Sequence, residues 1–181
     1  MNIDKNKQVS ALSVANYLLS LDKEREYFST NRVLIIDKSD NYRSKPIIGN
    51  FRLNKNLQII QALYYTCYGQ PLFWDAIKAY EHGGVVTFIY RNFKDLYRET
   101  NNISSSLNKE QKQFISKVFS YLKDNYSDLE LRELAHEDLA WENARKNKME
   151  GRGDTFDYNS EVLDYYQVLS GSLLEAMNIK H

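Results

Sequence analysis

Three histidines, a lone cysteine and a run of carboxylates are the side chains with which this chain could do chemistry, and their spacing argues against most of it. A zinc site needs three or four ligands, yet His82, His136 and His181 lie far apart, Cys67 has no second cysteine, and neither HExxH nor CxxC occurs. A phosphate-cradling loop is missing too: Gly83-Gly84 runs into Val85-Val86, without the Lys-Ser/Thr pair that would hold phosphate and magnesium. That glycine pair reads instead as a helix C-cap and a close packing corner. Glu130, Glu133, Glu137 and Asp138 would suit a divalent cation if they converged, but alternating charge on a short helix is most often its solvated face. A histidine at a helix end can donate to the last free carbonyls, which is the structural role expected of His136. Trp141, about one and a half turns further on, supplies a large area for burial. No catalytic residue, metal or cofactor is assigned, and the chain is not expected to be an enzyme.

The elements that would hold these residues are mostly helices. Asn54 is a candidate N-cap for a helix in which Leu57, Ile60, Leu63, Tyr64 and Cys67 recur on one face until Gly69 and Pro71 end it. Phe73, Trp74, Ile77 and Tyr80 read as a shorter helical stripe, and Val86, Ile89, Tyr90, Phe93 and Tyr97 as a third. Ahead of these, Val9, Leu12, Ala15, Leu18 and Leu19 form an amphipathic first helix with Ser10 or Ser13 at its start. Val33 to Ile36 and Pro46 to Ile48 flank a polar stretch and read as a β-hairpin or irregular flap. Further on, Asn108 and Gln111 open a helix through Phe114, Ile115, Val118 and Leu122, and Ser127 with Glu130 forms a capping-box pattern ahead of Leu131 and Leu134. Residues 146 to 154 read as loop, and the Arg152-Gly153-Asp154 tripeptide there, which some cell-surface receptors read, is expected to be a chance sequence because no export signal is seen. A last stripe holds Val162 and Tyr166, and Leu173, Leu174 and Met177 continue its face past Gly171. The fold class expected is mainly α, a compact single-domain helical bundle with a small β-hairpin insertion.

At 181 residues one domain is expected, with roughly 70% of the unfolded chain's surface open to burial. Lys+Arg and Asp+Glu both number 24, so no net field draws the chain to nucleic acid or to an anionic membrane. The first ten residues are polar and no apolar run approaches the roughly 18 residues of a membrane span, which points to a cytoplasmic protein. Cys67 sits in an apolar stripe and reads as a small packing residue rather than a redox thiol. Tyrosines crowd the central stretch, and Tyr65 and Tyr68, on its less apolar flank, are candidate partner contacts because a tyrosine joins a rigid ring to a polar tip.

Several of these pieces, taken in order, resemble one family. Leu57 to Tyr65 (LQIIQALYY), Gly69-Gln70-Pro71-Leu72-Phe73, Ala79-Tyr80-Glu81-His82-Gly83, Val85-Val86 and Tyr90 are similar to the Panacea domain of SocA-like antitoxins and phage-associated proteins. Val14 to Leu19 and Leu134-Ala135-His136-Glu137 followed by Trp141 to Arg145 extend the resemblance over residues 9 to 22 and 53 to 168. The positions carrying it are Leu57, Tyr64, Tyr65, Gly69, Gly83, Val85, Tyr90, His136, Trp141 and Arg145, all expected to be structural. Ala135 and Ala140 stand where the pattern has Thr and Pro, and Gly83-Gly84 replaces a Gly-Pro corner, trading a stiff turn for a permissive one.

The resemblance implies an antitoxin-like module that neutralises a cognate toxin by direct contact, in a prophage or mobile-element setting. An adaptor role toward an AAA+ protease is a further implication. Against the family pattern, residues 24 to 52 look like an insertion, read as a surface excursion rather than a partner-specific arm, and residues 171 to 181 like a C-terminal extension. The rival readings are a phage-associated hydrolase or nuclease with a diffuse site, and a nucleic-acid-binding protein.

Overall fold

The computed structural model describes residues 8–30, 47–99, 106–146 and 153–180. The described elements run α1 (Ala11–Leu21), α2 (Ile48–Tyr68), β1 (Ile77–Tyr80), β2 (Gly83–Val86), α3 (Thr87–Glu99), α4 (Lys109–Asn125), α5 (Asp128–His136), α6 (Leu139–Arg145) and α7 (Ser160–Ala176). The chain is mainly α with a small antiparallel hairpin, as its stripes predict.

Helix α2 is the axis of the molecule. Of its 21 residues only Arg52, Ala62, Tyr65, Cys67 and Tyr68 escape full burial, because α1, α3, α4, α5, α7 and β2 all pack around it. It ends where Gly69 and Pro71 predict: Gly69 adopts a left-handed φ of 64° and its N–H closes on the Tyr65 carbonyl. Its start is a correction. Asn54 is no N-cap but an interior residue, and the helix begins at Ile48 behind Ile47, which makes no side-chain cap. An N-cap is worth about 1 kcal/mol, whereas burying Ile48, Phe51 and Leu53 gains about 1.5–3 kcal/mol each, so packing overrides the local signal. Gly49 lets this extra turn lie directly on the Phe28 backbone, where a Cβ would collide with the Phe28 carbonyl.

Within residues 24 to 52, read as a surface excursion, the described ends reach the interior: Phe28 is fully buried and Tyr27 nearly so, in a ring cluster with Phe119. The expected strand runs Val33 to Ile36 and Pro46 lie outside the described residues.

A hairpin is described further along the chain. Residues 73 to 80, expected as a helix, are not helical: Ile77–Tyr80 form β1, which pairs antiparallel with β2 from Ile77↔Val86 to Tyr80↔Gly83 around Glu81 and His82. Burial alternates along β1, with Ile77 and Ala79 inward and Lys78 and Tyr80 half-buried, a period of two that a helical reading of four apolar residues misses. Trp74, placed on the same helical stripe as Phe73, is 61% exposed while Phe73 is buried. Nor do Gly83-Gly84 cap a helix; they open β2, and Gly83 needs its positive φ of 113°. The far edge of β1 is covered by residues 153 to 156, through Ala79 N–H to Asp154 O, Gly153 N–H to Ala79 O and Phe156 N–H to Ile77 O.

The remaining starts are legible in side chains. Ser10 caps α1, Asn108 with Gln111 and Ser127 with Glu130 form capping boxes on α4 and α5, and Asn159 caps α7. Helix α7 runs unbroken through Gly171 and sets Leu174 and Met177 in the core. No described helix is long and apolar enough to cross a membrane.

Candidate functional site

A helix buried on all sides should be apolar throughout. Helix α2 instead buries Asn50, Asn54, Lys55, Asn56, Gln58 and Gln61, and most of these amides complete the hydrogen bonding of other elements. At spacings of three and four residues, Asn50, Asn54, Gln58 and Gln61 line one face. Asn54 Oδ1 accepts from Val86 N–H at 3.1 Å and Gln58 Oε1 from Gly84 N–H at 2.6 Å. Gln61 takes both Leu72 N–H and Phe73 N–H on Oε1, and donates through Nε2 to Phe73 O. Asn50 donates to Tyr90 O at the top of α3. Backbone groups of β2 that face α2 rather than β1 are thereby satisfied by side chains, which is how a two-stranded sheet is buried against a helix.

Besides Asp22, which ends α1 and accepts from Phe28 N–H, the buried charged residues among those described are Lys55 and Asp138. Lys55, 2% exposed, donates from Nζ to Gly84 O at 3.2 Å beneath the hairpin, and burial pushes its amine down to about 7 against the opposing pull of Asp138. A Cβ on Gly83 would collide with that Nζ, so glycine is needed there twice over. Asp138 caps α6 by accepting Ala140 N–H at 3.0 Å on Oδ1, takes Tyr166 Oη at 2.6 Å on the same oxygen, and receives Gln58 Nε2 at 2.9 Å on Oδ2. Burial raises its pKa while those donors oppose the rise. Gln58 also donates to Ala135 O at 2.8 Å, so one amide joins β2, the end of α5 and the Asp138 carboxylate.

His136 lies beside this centre. Its ring stacks on Trp141 at 4.1 Å and 10°, and Trp141 Nε1 donates to Tyr80 O at 2.7 Å. The imidazole pairs with the Glu81 backbone in the hairpin turn, not with the carbonyls ending its own helix as expected; α5 is closed by the Glu137 N–H on Glu133 O. Its Nε2 is buried without a hydrogen-bond partner. Burial first, then the Arg132 and Lys55 charges, push the imidazole down to about 4, so it is neutral at pH 7. Trp141 is half-buried rather than enclosed.

The other positions singled out in the sequence fall into two groups. Leu57 and Val85 are core, Tyr64 packs between Tyr68 and Phe114, Tyr90 packs on Tyr80, and Arg145 sits in the last turn of α6. Tyr65 and Tyr68 are not brought onto one surface: half-buried Tyr65 stacks on Tyr158 at 4.6 Å, whereas Tyr68, 38% exposed, leans on Phe114 at the rim of a groove of about 1140 Å³ along α4. Cys67 packs against the core and its thiol is raised by burial to about 11, the state of an inert cysteine. The carboxylates do not converge, since Asp138 points inward, Glu130 closes its capping box, and Glu133 and Glu137 are exposed. Lys55, Gln58 and Asp138 went unremarked as a unit in the sequence, although Asn54, Lys55, Gln58 and Gln61 interrupting an apolar stripe were a visible signal.

The family model described as Antitoxin SocA-like, Panacea domain, matches residues 53–142. No curated protein and no solved structure gives a match. The matched stretch holds α2 from Leu53 onward, the hairpin, α3 to α5 and the start of α6, and with them Asn54, Lys55, Gln58, Gln61, His136, Asp138 and Trp141. The resemblance read from the sequence is thus shown over residues 53–142, which match the Panacea domain of SocA-like antitoxins.

Proposed function

We propose that this protein is an antitoxin that neutralises a cognate toxin by direct stoichiometric binding, acting in the cytoplasm of a cell that carries it on a prophage or mobile element, and that it has no catalytic activity of its own. The family match over residues 53–142 carries this reading. The interior supports it. A general acid or base must come within hydrogen-bond reach of its substrate, and Lys55 and Asp138 are buried beneath the hairpin and α6, where their bonds go to backbone and neighbouring side chains. Those residues are spent on holding the hairpin, α5, α6 and α7 together. Their work is to make a rigid body, and a rigid body with a shaped surface is what stoichiometric inhibition requires.

Co-expression with the product of the adjacent reading frame tests the proposal. Relief of toxicity should scale with the amount of this protein, a complex should survive pull-down, and rescue should persist in His136→Ala. Rescue at strongly sub-stoichiometric protein, abolished by His136→Ala in a folded variant, would instead mark turnover.

A further inference from the structure

The groove along α4 has the chemistry of a docking site. Its floor is apolar and aromatic, with Tyr17, Tyr68, Phe114 and Ile179, and its walls carry Lys109, Lys112, Lys117 and Lys180 against one acid, Glu110. In a chain whose charges balance overall, this is a local excess of positive charge. From this we infer that the groove binds an acidic segment of a partner protein, one in which carboxylates flank an apolar anchor.

Rigidity, charge and ring geometry each argue for that occupant. The Asn108–Gln111 capping box fixes the first turn of α4, Tyr17 Oη and Ser116 Oγ lie 2.8 Å apart across the α1–α4 seam, and Tyr68 rests on Tyr64 at 4.3 Å. The platform is thus preorganised, and a tyrosine offers contact area at little entropic cost. Lys112 Nζ stands 5.8 Å over the Tyr17 ring and Lys117 Nζ donates to the exposed Asn178 carbonyl at 3.2 Å, an exposed bond that a carboxylate can replace with a charge-assisted one. Nucleic acid fits less well. The lining holds no arginine to fork onto phosphate, Phe114 is buried, and Tyr17 and Tyr68 already have their ring faces engaged, by Lys112 and by Tyr64, rather than open for base stacking. Identifying the partner as the toxin rests on the antitoxin reading; the chemistry of the groove does not.

Three probes separate the possibilities: a synthetic peptide with Glu pairs flanking a Leu-Trp-Leu core, the same peptide with Lys for Glu, and single-stranded oligothymidylate. Titrated into the labelled protein and followed by amide chemical shifts and fluorescence polarisation, the acidic peptide should perturb the first two turns of α4 and Tyr68. It should bind about tenfold or more tighter than the Lys peptide, and weaken steeply with salt. Lys109→Glu combined with Lys117→Glu, both exposed and neither in the core, should cost about a hundredfold in its affinity while leaving the melting temperature near the parent's. Equal binding of the two peptides, preferential binding of oligothymidylate at the groove, or unchanged affinity in the double variant would overturn the inference. In cells, if the parent neutralises the toxin and the folded double variant does not, the groove is the docking site. If both rescue equally, the groove inference falls and the antitoxin reading stands. If the parent itself rescues nothing, the antitoxin reading falls, and the peptide titration alone decides the groove.

Discussion

Tyr166 Oη donates to Asp138 Oδ1 at 2.6 Å, and that one bond ties α7, which lies beyond the matched segment, to the capping residue of α6 within it. The carboxylate therefore holds three elements at once: α6 through Ala140 N–H, α2 through Gln58 and α7 through Tyr166. A buried carboxylate stays tolerable only while its donors stay in place.

Tyr166→Phe removes a single donor and keeps the ring, so it should destabilise by about 1.5–3 kcal/mol, the usual worth of a hydrogen bond to a charged group. Asp138→Ala also uncaps α6 and strands the Gln58 amide, and should cost about 3–5 kcal/mol. A double-mutant cycle in denaturant should return a coupling of roughly 1–2 kcal/mol between the two. Strict additivity would mean that the bond does not form in solution.

Gln58→Leu keeps the volume but leaves Gly84 N–H, Ala135 O and one Asp138 oxygen without their partner. Each buried orphan costs about 1–3 kcal/mol, so this apolar substitution should destabilise by roughly 3 kcal/mol or more. Hydrogen exchange of the Gly84 amide should quicken well beyond that of the α4 amides. A variant that melts with the parent would remove Gln58 from the centre.

Two buried bases set the pH profile, in different windows. The Lys55 amine has a folded pKa of about 7 against 10.5 when unfolded, so between these values the unfolded chain binds more protons and stability should rise with pH. His136, about 4 folded against 6.5 unfolded, likewise favours the unfolded chain as pH falls, so stability should drop from pH 6.5 toward pH 4. Chemical denaturation from pH 5 to pH 9 checks both: Lys55→Met should flatten the alkaline rise, and His136→Phe the acid fall. A Lys55→Met profile parallel to the parent's would show that the amine is solvated.

Trp141 stacks on His136 and bonds Tyr80 O, yet one side remains open to solvent. Trp141→Ala is therefore expected to cost about 2–3 kcal/mol, short of the about 3–5 kcal/mol of an enclosed aromatic. Trp141→Phe should recover part of this by restoring the stack without the indole N–H. Unchanged melting together with lost partner binding would move the residue to an interface.

What the sequence determined by itself is what depends on neighbours within a turn or two. Ser10, Asn108 and Ser127 cap the helices they precede, Gly69 stops α2 in the left-handed region, and the stripe Ile89, Tyr90, Phe93 and Tyr97 makes α3, because each of these choices is made within one helical turn. Val86, read as the first member of that stripe, belongs instead to β2. The Panacea-domain resemblance was legible for the same reason, in a fixed order of short local motifs. Tertiary structure alone decided the rest. Residues 77 to 80 carry apolar spacing compatible with either period, and they became a strand because residues 153 to 156 and β2 offered backbone partners from both sides. Asn54 left its capping role because Val86 N–H needed an acceptor in the interior. Lys55, Asp138 and Tyr166 are unremarkable singly and distant in the chain. Folding around α2 strips them of water and gathers their charges and hydroxyl, and desolvation turns ordinary polar residues into the centre that holds the fold.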